Sequence, residues 1–169
     1  MTNLLHKKIV IVGPPGSGKT YFSHKLSECF DLPLIHLDSI YYDESGKSIG
    51  DEAFIVALKD LLTKDEGIIE GFYLNTLPDR LSWADIIFFL DLNKEDVYQG
   101  LNDRKEFKSD DCYLNRDGEI DSFPQWWNTY ETRLRQTVYN YLKDYTDKSI
   151  IFHSRKEIDE YIEDLLKGK

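Results

Sequence analysis

The sequence has few cysteines, and they are not spaced as metal or redox sites require. Only Cys29 and Cys112 occur in 169 residues, so there is no C-x-x-C pair for zinc or dithiol chemistry. The four histidines are equally scattered and show no metal-ligand spacing. We therefore interpret the cysteines as two free thiols and expect neither a zinc site nor a redox site.

The sequence also lacks a long apolar run and an excess of positive charge. No apolar stretch approaches the roughly 20 residues that span a bilayer, and residues 1–8 lack the apolar core of a signal peptide. The formal net charge of −10 argues against broad binding to a nucleic-acid backbone, which needs a basic surface. We therefore expect a cytoplasmic protein without membrane or nucleic-acid partners, in which a local basic pocket can still hold a small anion.

What the sequence does contain is an alternation of apolar strands and helices. Short β-branched runs predict strands at 7–12, 34–37, 67–71, 86–90 and 149–152. Helical periodicity follows residue 18 and recurs at 51–62, 94–103, 126–145 and 155–166. This alternation predicts an α/β fold, an open parallel five-stranded sheet with helices on both faces, in a single domain over 1–169.

One segment breaks this alternation. Residues 104–125 show no apolar period and are rich in turn formers. Because long loops in compact domains often cover a binding site, we predict that this insert is a lid.

The strongest motif follows the first strand. It has the pattern G-x-x-x-x-G-K-[ST] and reads Gly13-Pro14-Pro15-Gly16-Ser17-Gly18-Lys19-Thr20. Its glycines let backbone N–H groups turn toward an anion, and the following helix adds its positive end. Lys19 is predicted to meet the β- and γ-phosphates, and the Thr20 hydroxyl to ligate Mg²⁺. The motif predicts a P-loop that binds ATP or GTP with Mg²⁺.

Three carboxylates end predicted strands, where ligands bind in open α/β sheets. These are Asp38, Glu70 and Asp91. We favour a functional role for Asp38 and Glu70, one of which should hold Mg²⁺ through water. For Asp91 we favour a helix cap or a solvated strand end.

Further segments carry a resemblance to a known family. Besides the P-loop they are residues 34–38, residues 68–73, Arg80, residues 83–91 and Arg104. Together they resemble the small P-loop kinases related to adenylate kinase, and most closely the group named topology modulation protein, or FlaR-like. The resemblance implies a nucleoside- or nucleotide-kinase-like P-loop fold and phosphoryl transfer from ATP with Mg²⁺.

The resemblance also implies roles for individual residues. Glu70 stands where the family has aspartate and would hold Mg²⁺ through water. Residues 51–62 would line the acceptor site and residues 104–125 would form the lid. The remaining implied roles concern the transferring phosphoryl group, which would be approached by Arg104, Arg133 and Arg135. Tyr21 would join residues 13–20 in binding the nucleotide. The adenine ring would be flanked by Ser154 and Arg155.

Two of the candidate arginines are on the helix after the insert. Arg133 and Arg135 are two residues apart and do not share one helix face, so at most one points straight into the cleft. The candidates for substrate contact are Asp38, Glu70 and Arg80. Arg80 could instead pair with the nearby acids Asp79 or Asp85. The acidic insert weakens the case for phosphate contacts from the lid beyond Arg104.

The acceptor is the open question. A phosphate acceptor needs arginines, and residues 34–65 contain none. A hydroxyl acceptor benefits from a carboxylate. Asp38 is the candidate, because it ends a short strand that we expect to neighbour the P-loop strand. We predict an ATP- and Mg²⁺-dependent phosphotransferase acting on a nucleoside, nucleotide or other small acceptor. The alternatives are a regulatory NTPase without an acceptor and a DNA-topology-related ATPase.

Overall fold

Five parallel strands form one sheet in the order β2-β3-β1-β4-β5. The computed structural model describes residues 7–103 and 123–168. The strands are β1 (Lys8–Val12), β2 (Leu34–His36), β3 (Gly67–Glu70), β4 (Ile86–Leu90) and β5 (Ser149–Phe152). All five match the predicted strands to within one residue at each end, and the predicted open parallel sheet is confirmed.

Helices cover both faces of this sheet because side chains alternate along each strand. Ile9 and Ile11 of β1 pack on one side with Phe22, while Val10 and Val12 pack on the other with Leu77. Strand β1 is therefore buried on both faces, as continuous apolar runs in parallel sheets are.

The helices lie between the strands. They are α1 (Lys19–Phe30), α2 (Asp38–Tyr41), α3 (Asp51–Leu61), α4 (Leu77–Trp83), α5 (Lys94–Asn102), α6 (Phe123–Thr129), α7 (Arg135–Leu142) and α8 (Arg155–Lys167). Short 3₁₀ turns occupy Leu74–Thr76 and Lys143–Lys148. Helices α2 and α4 were not predicted, because each is too short to establish a period.

The predicted neighbour of strand β2 was wrong. Strand β3 lies between β2 and the P-loop strand β1, with His36 opposite Glu70 and Ile11 opposite Glu70 on the other side. Burial agrees with this order, since β3 is buried throughout and β2 only partly. Of Asp38 and Glu70, it is therefore Glu70 that ends a strand beside the P-loop strand, and Asp38 lies one strand further away.

The predicted helix over 126–145 is longer and less regular than expected. A π-helical turn, Tyr130–Leu134, joins α6 to α7 and interrupts the α-helical spacing. Such turns are rare and occur often at functional sites. The insert predicted over 104–125 falls mostly outside the described residues, as does Arg104.

Within residues 7–103 and 123–168, no helix is both long and apolar enough to cross a membrane.

Candidate functional site

The P-loop connects β1 to α1 in a conformation that its glycines make possible. Gly16 has φ 82° and Gly18 has φ 87°, in the left-handed region that other residues adopt at a cost. Gly16 also lies hard against α5, where an added Cβ would come within 2.6 Å of the Val97 carbonyl oxygen. The loop therefore requires glycine both for its turn and for its packing.

Two polar groups of this loop fit an anion. The Ser17 hydroxyl oxygen is buried and has no hydrogen-bond partner in the described part of the chain. The Lys19 ammonium, with the residue 8% exposed, donates to the carbonyl oxygen of Pro14 at 3.0 Å. A buried hydroxyl without a partner is costly, and a phosphate among these groups would accept its hydrogen bond and balance the lysine charge.

A carboxylate and a hydroxyl meet beside the loop in a way that suits Mg²⁺. The Thr20 Oγ1 lies 3.5 Å from Glu70 Oε1, and His36 Nδ1 lies 2.6 Å from the same oxygen. Within the described segments no three His, Cys, Asp or Glu side chains form a metal cluster. This fits Mg²⁺, which uses one or two carboxylates and keeps water and phosphate ligands.

On the other side of Glu70, the side chain of Asp38 lies beside a group of aromatic rings. Asp38 is the exposed first residue of α2, and its Oδ1 accepts a 2.7 Å hydrogen bond from the Tyr73 hydroxyl. Burial, and then the bond to Asp38, raise the pKa of Tyr73 above its usual value, so the phenol stays protonated. The Tyr73 ring packs against Phe54 and Tyr41 at centroid distances of 4.8 and 5.1 Å.

Arg80 lies differently from both sequence interpretations. Its residue is 0% exposed, so its side chain neither faces a substrate nor pairs with the nearby acids. It donates to the carbonyl oxygens of Gly71 and Tyr73 and to the Thr76 hydroxyl. Burial lowers the pKa of its guanidinium to about 9, but at neutral pH the group remains charged. Arg80 therefore holds together the loop that carries Tyr73.

Of the two arginines after the insert, only Arg135 contacts the end of a central strand. Its Nε donates to Asp91 Oδ1 at 2.8 Å, while Arg133 is exposed. Asp91 is 6% exposed and also accepts from the hydroxyls of Tyr130 and Tyr139. The interpretation of Asp91 as a helix cap or solvated strand end was wrong, since Asn93 caps α5 and Asp91 is buried.

The residues predicted near adenine lie beside α5. The Ser154 hydroxyl caps α8 by accepting from the Glu157 N–H, and Arg155 Nη1 lies 3.4 Å from Asp103 Oδ2. An added Cβ on Gly100 would overlap the Gly16 carbonyl oxygen and the Arg155 guanidinium. The Arg155 side chain therefore lies close to the P-loop, whereas Tyr21 is 53% exposed on α1.

Sequence reasoning missed the partners of these groups. Tyr130 gave no signal, because its alignment with Arg135 depends on the π turn. Nothing local connects Tyr139 with Asp91, 48 residues earlier. Tyr73 belongs to the segment 68–73 that carried the family resemblance, but nothing local connects it with Asp38, 35 residues earlier. Nor does the sequence pattern predict that His36 contacts the Glu70 carboxylate.

Comparison with known proteins identifies kinases as relatives, although no family model matches the chain. Adenylate kinase of Clostridium botulinum strain Langeland is 31% identical over 106 residues, which cover 52% of this chain and 49% of that protein. Shikimate kinase of Rhodococcus jostii is 34% identical over 108 residues, covering 56% and 62%. The chain thus spans about half the length of the Clostridium adenylate kinases that it matches.

Solved structures extend the likeness to nearly the whole chain. Shikimate kinase from Acinetobacter baumannii in complex with shikimate superposes with a TM-score of 0.64 at 16% identity, covering 98% of this chain and 96% of that one. At this identity the likeness concerns the fold alone. The chain therefore has the fold of the small P-loop kinases.

Proposed function

We propose that the chain is an ATP- and Mg²⁺-dependent phosphotransferase that acts on a small molecule. The observation that carries this proposal is the P-loop, where the buried Ser17 hydroxyl has no hydrogen-bond partner among the described residues and the Lys19 ammonium donates to the Pro14 carbonyl oxygen of the same loop. The names of the relatives, adenylate kinase and shikimate kinase, support the same reaction class.

The roles of the residues follow from where charge develops. Backbone N–H groups at the start of α1 and the Lys19 ammonium would hold the phosphates. Thr20 and Glu70 would hold Mg²⁺, Glu70 through water, while His36 orients the Glu70 carboxylate. The bound Mg²⁺ would neutralise charge between the β- and γ-phosphates. Arg135 is the described arginine that we assign to the transferring group.

The acceptor in this proposal carries a hydroxyl and no phosphate. The wall formed by α2, α3 and the Tyr73 loop contributes carboxylates and aromatic rings, and residues 34–65 contain no arginine. Asp38, oriented by the Tyr73 hydroxyl, would accept the hydroxyl proton as the phosphoryl group transfers. Arg80 is not assigned to the acceptor, because it is buried.

Three further assignments belong to this proposal. The chain forms a single domain, with 104–125 as a lid that brings Arg104 to the phosphates. Its specific group is that of the topology modulation, or FlaR-like, proteins. Ser154, Arg155 and Tyr21 would border the nucleotide base.

The test is a phosphate-transfer screen with ATP and Mg²⁺ against four acceptor classes: nucleosides, nucleoside monophosphates, neutral polyols and sugars, and short polynucleotides. We expect transfer to a hydroxyl of a phosphate-free acceptor. Transfer only to a monophosphate would contradict the acceptor class, and ATP hydrolysis indifferent to every acceptor would contradict the kinase assignment. The variant Lys19→Ala, assayed in parallel, excludes contaminating kinases.

A further inference from the structure

The π-helical turn aligns three side chains toward one carboxylate. In an α-helix, residues five apart point about 140° away from each other. The i→i+5 pattern of a π turn brings such residues to the same side, and it does so for Tyr130 and Arg135. Tyr139 lies one α-helical turn further on. All three side chains donate to Asp91 at 2.8 Å.

Asp91 lies next to the phosphate site. It directly follows β4, which pairs with the P-loop strand β1. The preceding residue, Leu90, places its carbonyl oxygen 2.9 Å from where a Cβ on Gly13 would be. The carboxylate therefore connects the helix after the insert to the strand end that packs against Gly13.

The Arg135 side chain is restrained but not hidden. Its guanidinium lies 5.6 Å from the Trp127 ring centroid and 5.2 Å from that of Tyr130. Its contact with Asp91 uses Nε, its Nη1 is 3.7 Å from the Glu131 carboxylate, and the side chain is 26% exposed. A long cationic side chain loses considerable rotamer freedom when it is held in this way.

Stability alone is a weak reason for this arrangement. A buried carboxylate must be desolvated, and apolar packing of similar volume often gives equal or greater stability. A restrained arginine does provide something that apolar packing cannot, which is a positive charge already oriented where negative charge develops.

We propose that Asp91 is a positioning residue for phosphoryl transfer, which holds Arg135 beside the P-loop so that its guanidinium meets the transferring group. Tyr130 adds support on Oδ1 and Tyr139 on Oδ2, where His153 Nδ1 also lies 3.9 Å away. This inference rests on the proposed kinase function and goes beyond it, because Asp91 would act only through Arg135.

The experiment is a double-mutant cycle of Asp91→Asn and Arg135→Ala. Two quantities are measured for each variant: kcat of transfer to the acceptor found in the screen, and the affinity for ADP with and without aluminium fluoride, which mimics the transferring phosphoryl group. We expect Asp91→Asn to lower kcat about a hundredfold and to abolish the tightening by aluminium fluoride, with ADP affinity unchanged. In the Arg135→Ala background, Asp91→Asn should have no further effect on kcat.

Equal kcat losses from Asp91→Asn in the presence and absence of Arg135 would overturn the inference, and so would a parallel loss of ADP affinity. A wild-type chain that binds ADP but transfers nothing, with no tightening by aluminium fluoride, would overturn the kinase function itself. If Asp91→Asn does not fold, Tyr139→Phe replaces it, with an expected loss in kcat of about tenfold. Its matched control is Tyr161→Phe, which removes a buried hydroxyl without a described partner and should leave kcat unchanged.

Discussion

The two sides of the cleft are built differently. On the proposed phosphate side, Lys19, Glu70 and Asp91 are all less than 9% exposed. Lys19 begins α1 after the P-loop, Glu70 ends β3 and Asp91 follows β4. On the acceptor side, Asp38 is exposed and follows β2, the edge strand. The side chains that we propose for phosphate and Mg²⁺ are thus buried, whereas Asp38, which we propose for the acceptor, is on a short surface element.

The largest effect should come from the buried phosphate side. We expect Lys19→Ala to lower kcat about a thousandfold or more, because its charge meets the phosphates in a preorganised site. The melting temperature should be little changed, because the hydrogen bond that Lys19 donates to Pro14 lies within the P-loop and does not connect it to another element. The matched control is Lys25→Ala on the same helix, which is more exposed and should keep full activity. Normal turnover in Lys19→Ala would contradict the phosphate site.

The next effect tests the exposed acceptor side. We expect Asp38→Asn to lower kcat about a hundredfold with little change in ATP affinity, because a proton acceptor typically contributes that much. Titration of Mg²⁺ should be unchanged, which separates this role from a metal role. The control is Asp65→Asn, an exposed residue that lies beyond α3. An unchanged kcat in Asp38→Asn with a good acceptor would end the proton-acceptor hypothesis.

A third variant tests Arg80, which holds the loop that carries Tyr73. Arg80→Lys should lower the free energy of unfolding by about 2 kcal/mol, because an ammonium cannot reach all three acceptors and leaves buried oxygens unsatisfied. Chemical denaturation measures this loss. The same replacement at the exposed Arg133 should change stability by less than about 0.5 kcal/mol. Equal stabilities of the two variants would show that the Tyr73 loop does not depend on Arg80.

The smallest expected effect is on the pH dependence of stability, through Tyr139 and its hydrogen bond to Asp91. Burial, and then the bond to Asp91, raise the pKa of Tyr139 from 10 to about 12. Between these values the folded chain keeps a proton that the unfolded chain loses, so stability falls as pH rises. We expect the melting temperature of Tyr139→Phe to fall less steeply over this range than that of the wild type. The partly exposed Tyr141→Phe should follow the wild-type slope, and identical slopes for all three chains would contradict the shift.

Local pattern was sufficient for much of the fold and for the phosphate site. The strands β4 and β5 were predicted to the residue, because apolar β-branched runs between turn signals are a local property. Glu70, one of the carboxylates that the sequence singled out, ends a strand beside the P-loop strand. The neighbour of β2 was wrong because a parallel strand's partner depends on which crossover packs where, and no local pattern specifies that.

The sequence by itself determined the P-loop, because eight contiguous residues contain both the glycines that the turn requires and the lysine that it presents. Only the tertiary structure decided that Arg80 is buried, and that Arg135 meets a carboxylate 44 residues earlier in the chain. Both outcomes depend on how elements pack and, for Arg135, on one π turn that rotates its helix face. Side-chain chemistry can be read from the sequence, but the direction in which a side chain points is set by the packing around it.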